Sequence, residues 1–501
     1  MEQPITPTPE IPFSPPPVSR SPEPYSTGRK EMIFCAAMVL VALSMANFIL
    51  IGDLNLGFAI AATASIACSF SYLSACGHKG NWYTRSILIL CLIIAAGFGY
   101  SDDGFVKFVL FLFLFTGVNL ALCISAGQNR RDPGTVQSLL DAPRAFFALG
   151  FGKMEWSIRG IIAFFRTGGE NSRRTGAILA GLAIAVPVLA VMIPLLMGAD
   201  AAFQGLMDQL PDFDLAEAII TAFWGFWLFV VLYTRSVALH FEGKASPPVP
   251  SHKKLHLFTV NTVLCTVCAL YLVYLLSQIA YFSGGFLGIL PQGYSTAEYA
   301  RRGFFEMAWL CAINLGIITF GVGLVSGTDG IPRSTRLLCL FLGLVTLFLV
   351  CASCAKMVLY IGTYGLTRLR VLTMAIIVFL ALTTILVSVW LFLPKLRYMK
   401  IIFLIALVMG AGILWMDVDT QVARYNVSAY LSGDLQTVDV RHLGQLGDGA
   451  LPYLVQLTEA EDPIVAAKAQ EVLSVRHARQ PDDFRSWNYL TAVGWDLLSG
   501  K

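Results

Sequence analysis

Charged residues are scarce in this sequence. Asp, Glu, Lys and Arg make up only 13% of the 501 residues, whereas 56% are hydrophobic. A water-soluble core cannot enclose that much apolar surface, which excludes an ordinary soluble domain. The net charge of +3 is too small to favour nucleic acid as a partner. The expected surrounding of most of the chain is therefore a lipid bilayer.

Recognisable catalytic and metal-binding motifs are also missing. The sequence has no phosphate-binding glycine loop, kinase signature or hydrolase elbow. His252 and His256 are four residues apart but have no third ligand nearby. Two Cys-x-x-Cys pairs lie at different depths of apolar segments without His or acidic neighbours, namely Cys265 with Cys268 and Cys351 with Cys354. We therefore expect no metal and no cofactor, and the sequence favours a non-enzymatic role.

Long apolar segments dominate what is present. A helix needs about 20 apolar residues to cross about 30 Å of hydrocarbon. Eleven segments qualify, at 32–51, 54–76, 86–101, 104–126, 175–198, 217–239, 255–281, 304–326, 335–360, 371–393 and 398–416. The third is short, and Pro187 and Pro194 should kink the fifth. The predicted fold class is all-α, a polytopic membrane protein with about eleven spans and a small C-terminal helical domain outside the cytoplasm.

The basic residues predict the orientation, because Lys and Arg are retained on the cytoplasmic side. With the N-terminus inside, the inner connections collect most of them, and the outer loop at 199–216 is purely acidic. An odd number of spans then places the C-terminus on the other side of the membrane, outside the cytoplasm. Four basic residues break the rule on the outer side: Arg301, Arg302, Arg368 and Arg370.

Five regions follow from this topology. Residues 1–30 form a Pro-rich cytoplasmic tail, predicted to be disordered. Residues 31–126 hold spans one to four, and 176–416 hold spans five to eleven. Between them, 127–175 contain "TVQSLLDAPRAFFALGF" and "EWSIRGIIAFFR", a pattern typical of helices lying on the cytoplasmic membrane surface. Their Arg residues predict contact with anionic lipid at 130–174, the alternative being a re-entrant or packed segment.

The last region, 417–501, changes from continuous to amphipathic apolar spacing, which predicts short helices. Asp462 before Pro463 is typical of a helix start. A fold this small is marginal alone, so we expect this helical, repeat-like domain to dock on the outer face of the spans.

The stretch "QGYSTAEYARRGFFEMAWL" places charge at the mouth of a span. Ser295 and Glu298 fit a capping box. In a helix, Glu298 and Glu306 would lie one turn either side of Arg302, while Arg301 would point away without a local partner. A structural ion-pair network, lipid contact and a substrate site are the three interpretations of this stretch.

Four motifs resemble successive signatures of a bacterial membrane-protein family called domain of unknown function 4173. They are "GYSTAEYARRGFF" (293–305), "YGLTRLRV" (364–371), "ARYNVSAYLSG" (423–433) and "LGDGALPYLVQL" (446–457). The resemblance implies no activity.

Because the predicted topology puts these motifs on one side, their polar residues are expected to converge on one outer patch. The candidate binding residues are Glu298, Arg301, Arg302, Glu306, Tyr364, Arg368, Arg370, Arg424, Tyr425 and Asn426.

Three function classes compete. The first is an interaction or signalling protein of the envelope that presents its C-terminal helices outside, with an extracytoplasmic protein or envelope ligand as partner. The second is a transporter or lipid-handling protein, although the spans carry almost no mid-membrane charge. The third is an enzyme that modifies envelope lipid or glycan, which requires an outer carboxylate pair or His.

Overall fold

The chain is all-helical in the residues that the computed structural model describes, which are 24–166, 215–242, 255–286, 304–325, 330–476 and 484–499, with isolated positions between 181 and 200. Ten helices have the composition of membrane spans: α1 Arg29–Gly52, α2 Leu56–Ala75, α3 Trp82–Gly97, α4 Gly104–Ala126, α6 Leu215–Phe241, α7 Leu257–Phe286, α8 Phe304–Val325, α9 Arg333–Tyr364, α10 Arg368–Phe392 and α11 Tyr398–Met416. A further helix, α5, runs over Met154–Arg166.

Nine of these ten, all except α3, are long and apolar enough to cross a membrane. The protein is thus a multi-pass helical membrane protein. Helix α3 has 16 residues and ends at Gly97, before the predicted end at 101. The predicted span at 175–198 lies largely outside the described residues, as do most of the Pro-rich tail and His252. The count of about eleven spans is therefore not confirmed.

The C-terminal helices form a compact unit, called here the C-terminal module. Its helices are α12 Val418–Leu431, α13 Val440–Gly444, α14 Leu451–Leu457, α15 Pro463–Val475 and α16 Tyr489–Ser499. Asp462 caps α15 by accepting a hydrogen bond from the Ile464 N–H, 2.8 Å away, and Pro463 occupies the first turn.

Two apolar cores hold the spans together. The first contains residues of α1, α2, α3, α4, α6 and α11. It continues without a break into the module through buried residues such as Val422, Val427 and Leu454. The second contains residues of α7, α8, α9 and α10. Because the module shares the first core, it is part of the membrane unit rather than a tethered domain.

The backbone of the module also bonds to the turns between spans. The Tyr489 N–H donates to Gly99 O at 3.0 Å, and the Leu56 N–H donates to Trp487 O at 3.1 Å. The Arg485 guanidinium donates to Glu217 at the start of α6, 3.1 Å away. These contacts define the module face of the protein, the end of the spans that carries the turns after α1, α3, α9 and α11.

The opposite face carries residues 127–166, which follow α4. Short helical turns occupy 136–152 and α5 follows. Asp141 is fully buried and accepts hydrogen bonds from the Arg130 and Arg131 N–H groups, both 3.1 Å away. The same segment leaves Phe147 and Ile158 more than half exposed. Apolar residues on this exposed side favour the predicted membrane-surface position.

Candidate functional site

Six of the ten predicted binding residues lie at the module face, one lies in α8, and three are outside the described residues. Glu298, Arg301 and Arg302 lie outside the described residues, and Glu306 is in α8 without a described side chain. The other residues lie at the module face: Tyr364, Arg368 and Arg370 beside the α9–α10 turn, and Arg424, Tyr425 and Asn426 on α12. Arg424 and Tyr425 point outward, so only the remaining four approach one another.

The α9–α10 turn is held by Asn426. Its Oδ1 accepts from the Leu366 N–H at 2.6 Å and its Nδ2 donates to Leu366 O at 2.7 Å. Gly365 has φ +74°, and a Cβ there would lie 2.5 Å from Asn426 Oδ1. Glycine is therefore required both for the backbone conformation and for the close approach of α12.

Arg370 stabilises the same turn from the other side. Its Nη1 donates to Tyr364 O at 3.0 Å and to Gly365 O, and its guanidinium lies 4.0 Å above the Tyr360 ring. These carbonyls end α9 and lack helical donors, so Arg370 caps the helix. Its role in this structure is structural.

Arg368 joins the spans to the module. Its Nε donates to Asp419 Oδ1 at 2.8 Å and its Nη2 donates to Asp419 Oδ2, a two-point ion pair. Asp103 Oδ2 is 3.5 Å from the same Nε. Both carboxylates are buried, whereas the Arg368 side chain is 39% exposed. Asp419 also accepts from the Gly447 N–H at 2.7 Å. Its carboxylate, at the start of α12, therefore contacts both the start of α10 and the turn that contains Gly447.

Asp419 of this pair and four neighbouring aspartates are called here the aspartate junction, which consists of Asp102, Asp103, Asp417, Asp419 and Asp448. Asp417 accepts from Ser101 Oγ at 2.9 Å and caps α12 through the Thr420 N–H at 3.0 Å. Asp448 accepts from Arg476 Nη2 at 3.1 Å. The junction is therefore built from caps and ion pairs that fix the module on the spans.

Asp102 has one oxygen without a hydrogen bond. Its Oδ2 accepts from the Asp448 N–H at 2.6 Å, but its buried Oδ1 has no hydrogen-bond partner among the described residues. Burial raises the pKa of Asp102 to about 6, and the charges of Asp417, Asp448 and Asp419 add to that shift. A Cβ on Gly447 would lie 2.5 Å from the same Oδ1, so the Gly447 backbone packs directly on the carboxylate.

The sequence reasoning missed these acids as a site. "SDDG" at 101–104, "DVD" at 417–419 and "GDG" at 447–449 each place Asp in a short connection at an end of an apolar or amphipathic helix. All three fall on the predicted outer side, which was the available signal.

A groove opens beside the junction and runs down the spans. The part beside the junction, about 420 Å³, has a mixed lining in which Arg368, His442 and Gln445 supply polar groups. Its apolar part, about 450 Å³, lies between α4, α10 and α11. Phe105, Leu369 and Leu372 line both parts.

The groove continues deeper into the membrane region. A third part of about 310 Å³ shares Phe113, Phe379 and Ala406 with the apolar part and reaches Thr116. The apolar part follows α4 from Phe105 to Phe113, a rise of about 12 Å at 1.5 Å per residue. The third part also contacts Tyr83, Ser138 and Met399, so the groove extends toward the opposite face.

Comparison with known proteins gives a family. The model of the family described as "Domain of unknown function (DUF4153)" matches residues 32–457. The chain belongs to this family. The match confirms membership of a family of unknown function, but it does not confirm the number 4173. No curated protein and no solved structure matches the chain. The matched range contains the whole aspartate junction and the groove, and it ends before α15.

Proposed function

We propose that the protein binds a membrane lipid in the groove beside the aspartate junction and handles that lipid at the module face. The observation that carries the proposal is the continuity of a cleft that contains Arg368, His442 and Gln445 with an apolar groove along the spans. A lipid has the same division, with a polar headgroup and an acyl chain. This is the lipid-handling alternative among the function classes.

The polar end carries donors suited to an anionic headgroup. Arg368 keeps 39% of its side chain exposed after pairing with Asp419. His442 Nε2 is buried and has no partner in the described part of the chain. Guanidinium and imidazole N–H groups are the donors that bind phosphate or carboxylate oxygens. The headgroup would therefore lie between α10 and α13.

Photo-cross-linking tests this proposal. The purified protein is reconstituted with a phospholipid that carries a diazirine on its acyl chain, and labelled peptides are mapped by mass spectrometry. Ala406→Trp should fill the groove and abolish the labelling of α4 and α10. Val408→Trp is the matched control, because Val408 is on the same helix and 54% exposed outside the groove lining. Equal labelling of the two variants would contradict the proposal.

An interaction role remains a second candidate, because the module is rigidly fixed and has a cleft of its own. That cleft, about 400 Å³, is lined by Arg441, Lys468 and Arg476, with Val475 72% exposed beside them. Basic and apolar groups together fit an acidic protein segment. A photo-reactive residue at 475 should give a discrete adduct in cells that disappears with Lys468→Glu. Adducts that are unchanged by this charge reversal would reject a specific partner.

We also infer the orientation from the Lys and Arg distribution. The N-terminus then lies in the cytoplasm and the module outside the inner membrane, with the 130–174 segment on anionic lipid. A reporter that fluoresces only in the cytosol should stay dark when fused after Lys501. Cytosolic fluorescence would reverse the assignment.

A further inference from the structure

The opposite face of the protein brings together three side chains with different ligand atoms. Glu31 lies in the first turn of α1, Cys76 caps the end of α2, and His240 lies in the last turn of α6. One ligand atom of each lies within 4.8 Å of the other two. In the described part of the chain this is the only such group of His, Cys, Asp and Glu.

The geometry points to a site for a zinc ion held by Glu31, Cys76 and His240. Thiolate, imidazole and carboxylate are the protein ligands of Zn²⁺, at about 2.0 to 2.3 Å from the metal. Two ligands of one tetrahedral zinc are therefore about 3.5 Å apart. The three ligand atoms would have to approach one another by about 1.3 Å at most, from 4.8 Å to about 3.5 Å. Ca²⁺ and Mg²⁺ prefer oxygen ligands alone, so this mixed set selects a transition metal.

Neighbouring groups hold the ligands in place. His78 Nε2 and His240 Nδ1 are 2.9 Å apart and share a hydrogen bond, which fixes the orientation of the His240 ring. Tyr72 donates its hydroxyl to Glu31 Oε1 at 3.2 Å, and the Gly28 N–H donates to Glu31 Oε2 at 2.9 Å. Each carboxylate oxygen keeps a second lone pair for a metal. Such outer contacts are what orient the ligands of zinc sites.

The burial and charge of Glu31 are a second, independent reason. The residue is 6% exposed, closes the capping box of α1, and is absent from the ion pairs of the described residues. Its neighbour Lys30 donates instead to Ala75 O at 2.6 Å. A buried acid is costly unless a cation compensates it. Cys76 and His240 are only partly buried, so an ion can enter from the side of the turn after α2.

This site is independent of the lipid groove, which lies beside α4, α10 and α11. Its three ligands come from helices far apart in sequence, which is why no spacing motif marks it. A bound ion would link the start of α1 to the ends of α2 and α6, at the face where α5 also packs.

The test uses the full-length protein in detergent, without a polyhistidine tag. The protein is stripped with a chelator and loaded with Zn²⁺ or Co²⁺. We expect one zinc per chain by elemental mass spectrometry, and we expect Co²⁺ to give the near-ultraviolet thiolate charge-transfer band that Zn²⁺ displaces. These two readouts need no variant. A stripped and reloaded wild-type protein that retains no stoichiometric zinc and gives no thiolate band would overturn the assignment.

Variants then assign the ligands. Cys76→Ser, His240→Ala and Glu31→Gln should each lower zinc affinity more than His78→Ala, which acts by positioning and should weaken binding about 10- to 100-fold. Cys351→Ser and His256→Ala are matched controls, because Cys351 is exposed on α9 and His256 is exposed just before α7, and both should leave binding unchanged. Zinc affinity that is unaffected by Cys76→Ser and His240→Ala would also overturn the assignment.

Discussion

Replacing Arg368 by Met should partly release the C-terminal module from the spans. The variant keeps an unbranched side chain but leaves Asp419, which is fully buried, without its two-point partner. Breaking a buried ion pair typically costs 3 to 5 kcal/mol. Because the Arg368 side chain is 39% exposed, we expect the lower end, about 3 kcal/mol.

Hydrogen exchange of the α12 and α14 amides measures this cost directly. A loss of about 3 kcal/mol should accelerate exchange through module opening roughly 100-fold, since each 1.4 kcal/mol is about a factor of ten. The double variant Arg368→Met/Asp419→Asn should recover part of the protection, because Asn carries no charge and still accepts from the Gly447 N–H. Arg424→Met is the control, since Arg424 is exposed on α12 and should change exchange little. Additive effects in the double variant would refute the coupling of Arg368 with Asp419.

Two further predictions concern Asp102, whose Oδ1 has no hydrogen-bond partner among the described residues. The pKa of Asp102 in the fold is about 6, above its ordinary value of 3.8, so the fold favours the protonated carboxyl group. The stability of the folded protein with respect to this group is therefore full below pH 4 and is lost as the pH rises through 6. Asp102→Asn should therefore raise the melting temperature relative to wild type at pH 7.5, by an amount equivalent to at most about 3 kcal/mol, and this advantage should shrink toward pH 4.5. An advantage that is constant over that range would reject the titration of Asp102. Gly447→Ala should destabilise the protein by about 1 to 3 kcal/mol, because its Cβ would lie 2.5 Å from Asp102 Oδ1, and an unchanged thermal melt would show that the contact relaxes freely.

The spans were predictable from sequence because each is a nearly continuous apolar run. Nine helices of sufficient length appear among the described residues at the predicted places, and α3 is the short one in both descriptions. Helix ends were less predictable. Asp103 caps α4 through its carboxylate, and such a contact decides where a helix starts more sharply than hydropathy does.

The candidate site was predictable only as a shared side of the membrane. Sidedness brought Tyr364, Arg368, Arg370 and Asn426 to one face, but it did not separate them from Arg424 and Tyr425. The helical period of α12 does separate them, because Asn426 lies on the buried side with Val422, Ala423 and Val427, whereas Arg424 and Tyr425 are exposed.

The acids that pair with Arg368 were not predictable by local spacing. Asp103, Arg368 and Asp419 come from distant parts of the chain, and their pairing depends on how α4, α10 and α12 pack. The same holds for Glu31, Cys76 and His240. A sequence shows which residues have the chemistry for a site, but packing decides which of them meet.

A structure of the protein in a lipid nanodisc, solved by cryo-electron microscopy, tests the central claim most directly. Lipid binding predicts elongated density between α4, α10 and α11, with a headgroup feature beside Arg368 and His442. A groove closed by its own side chains, or filled by density without a polar end at α13, would contradict the account.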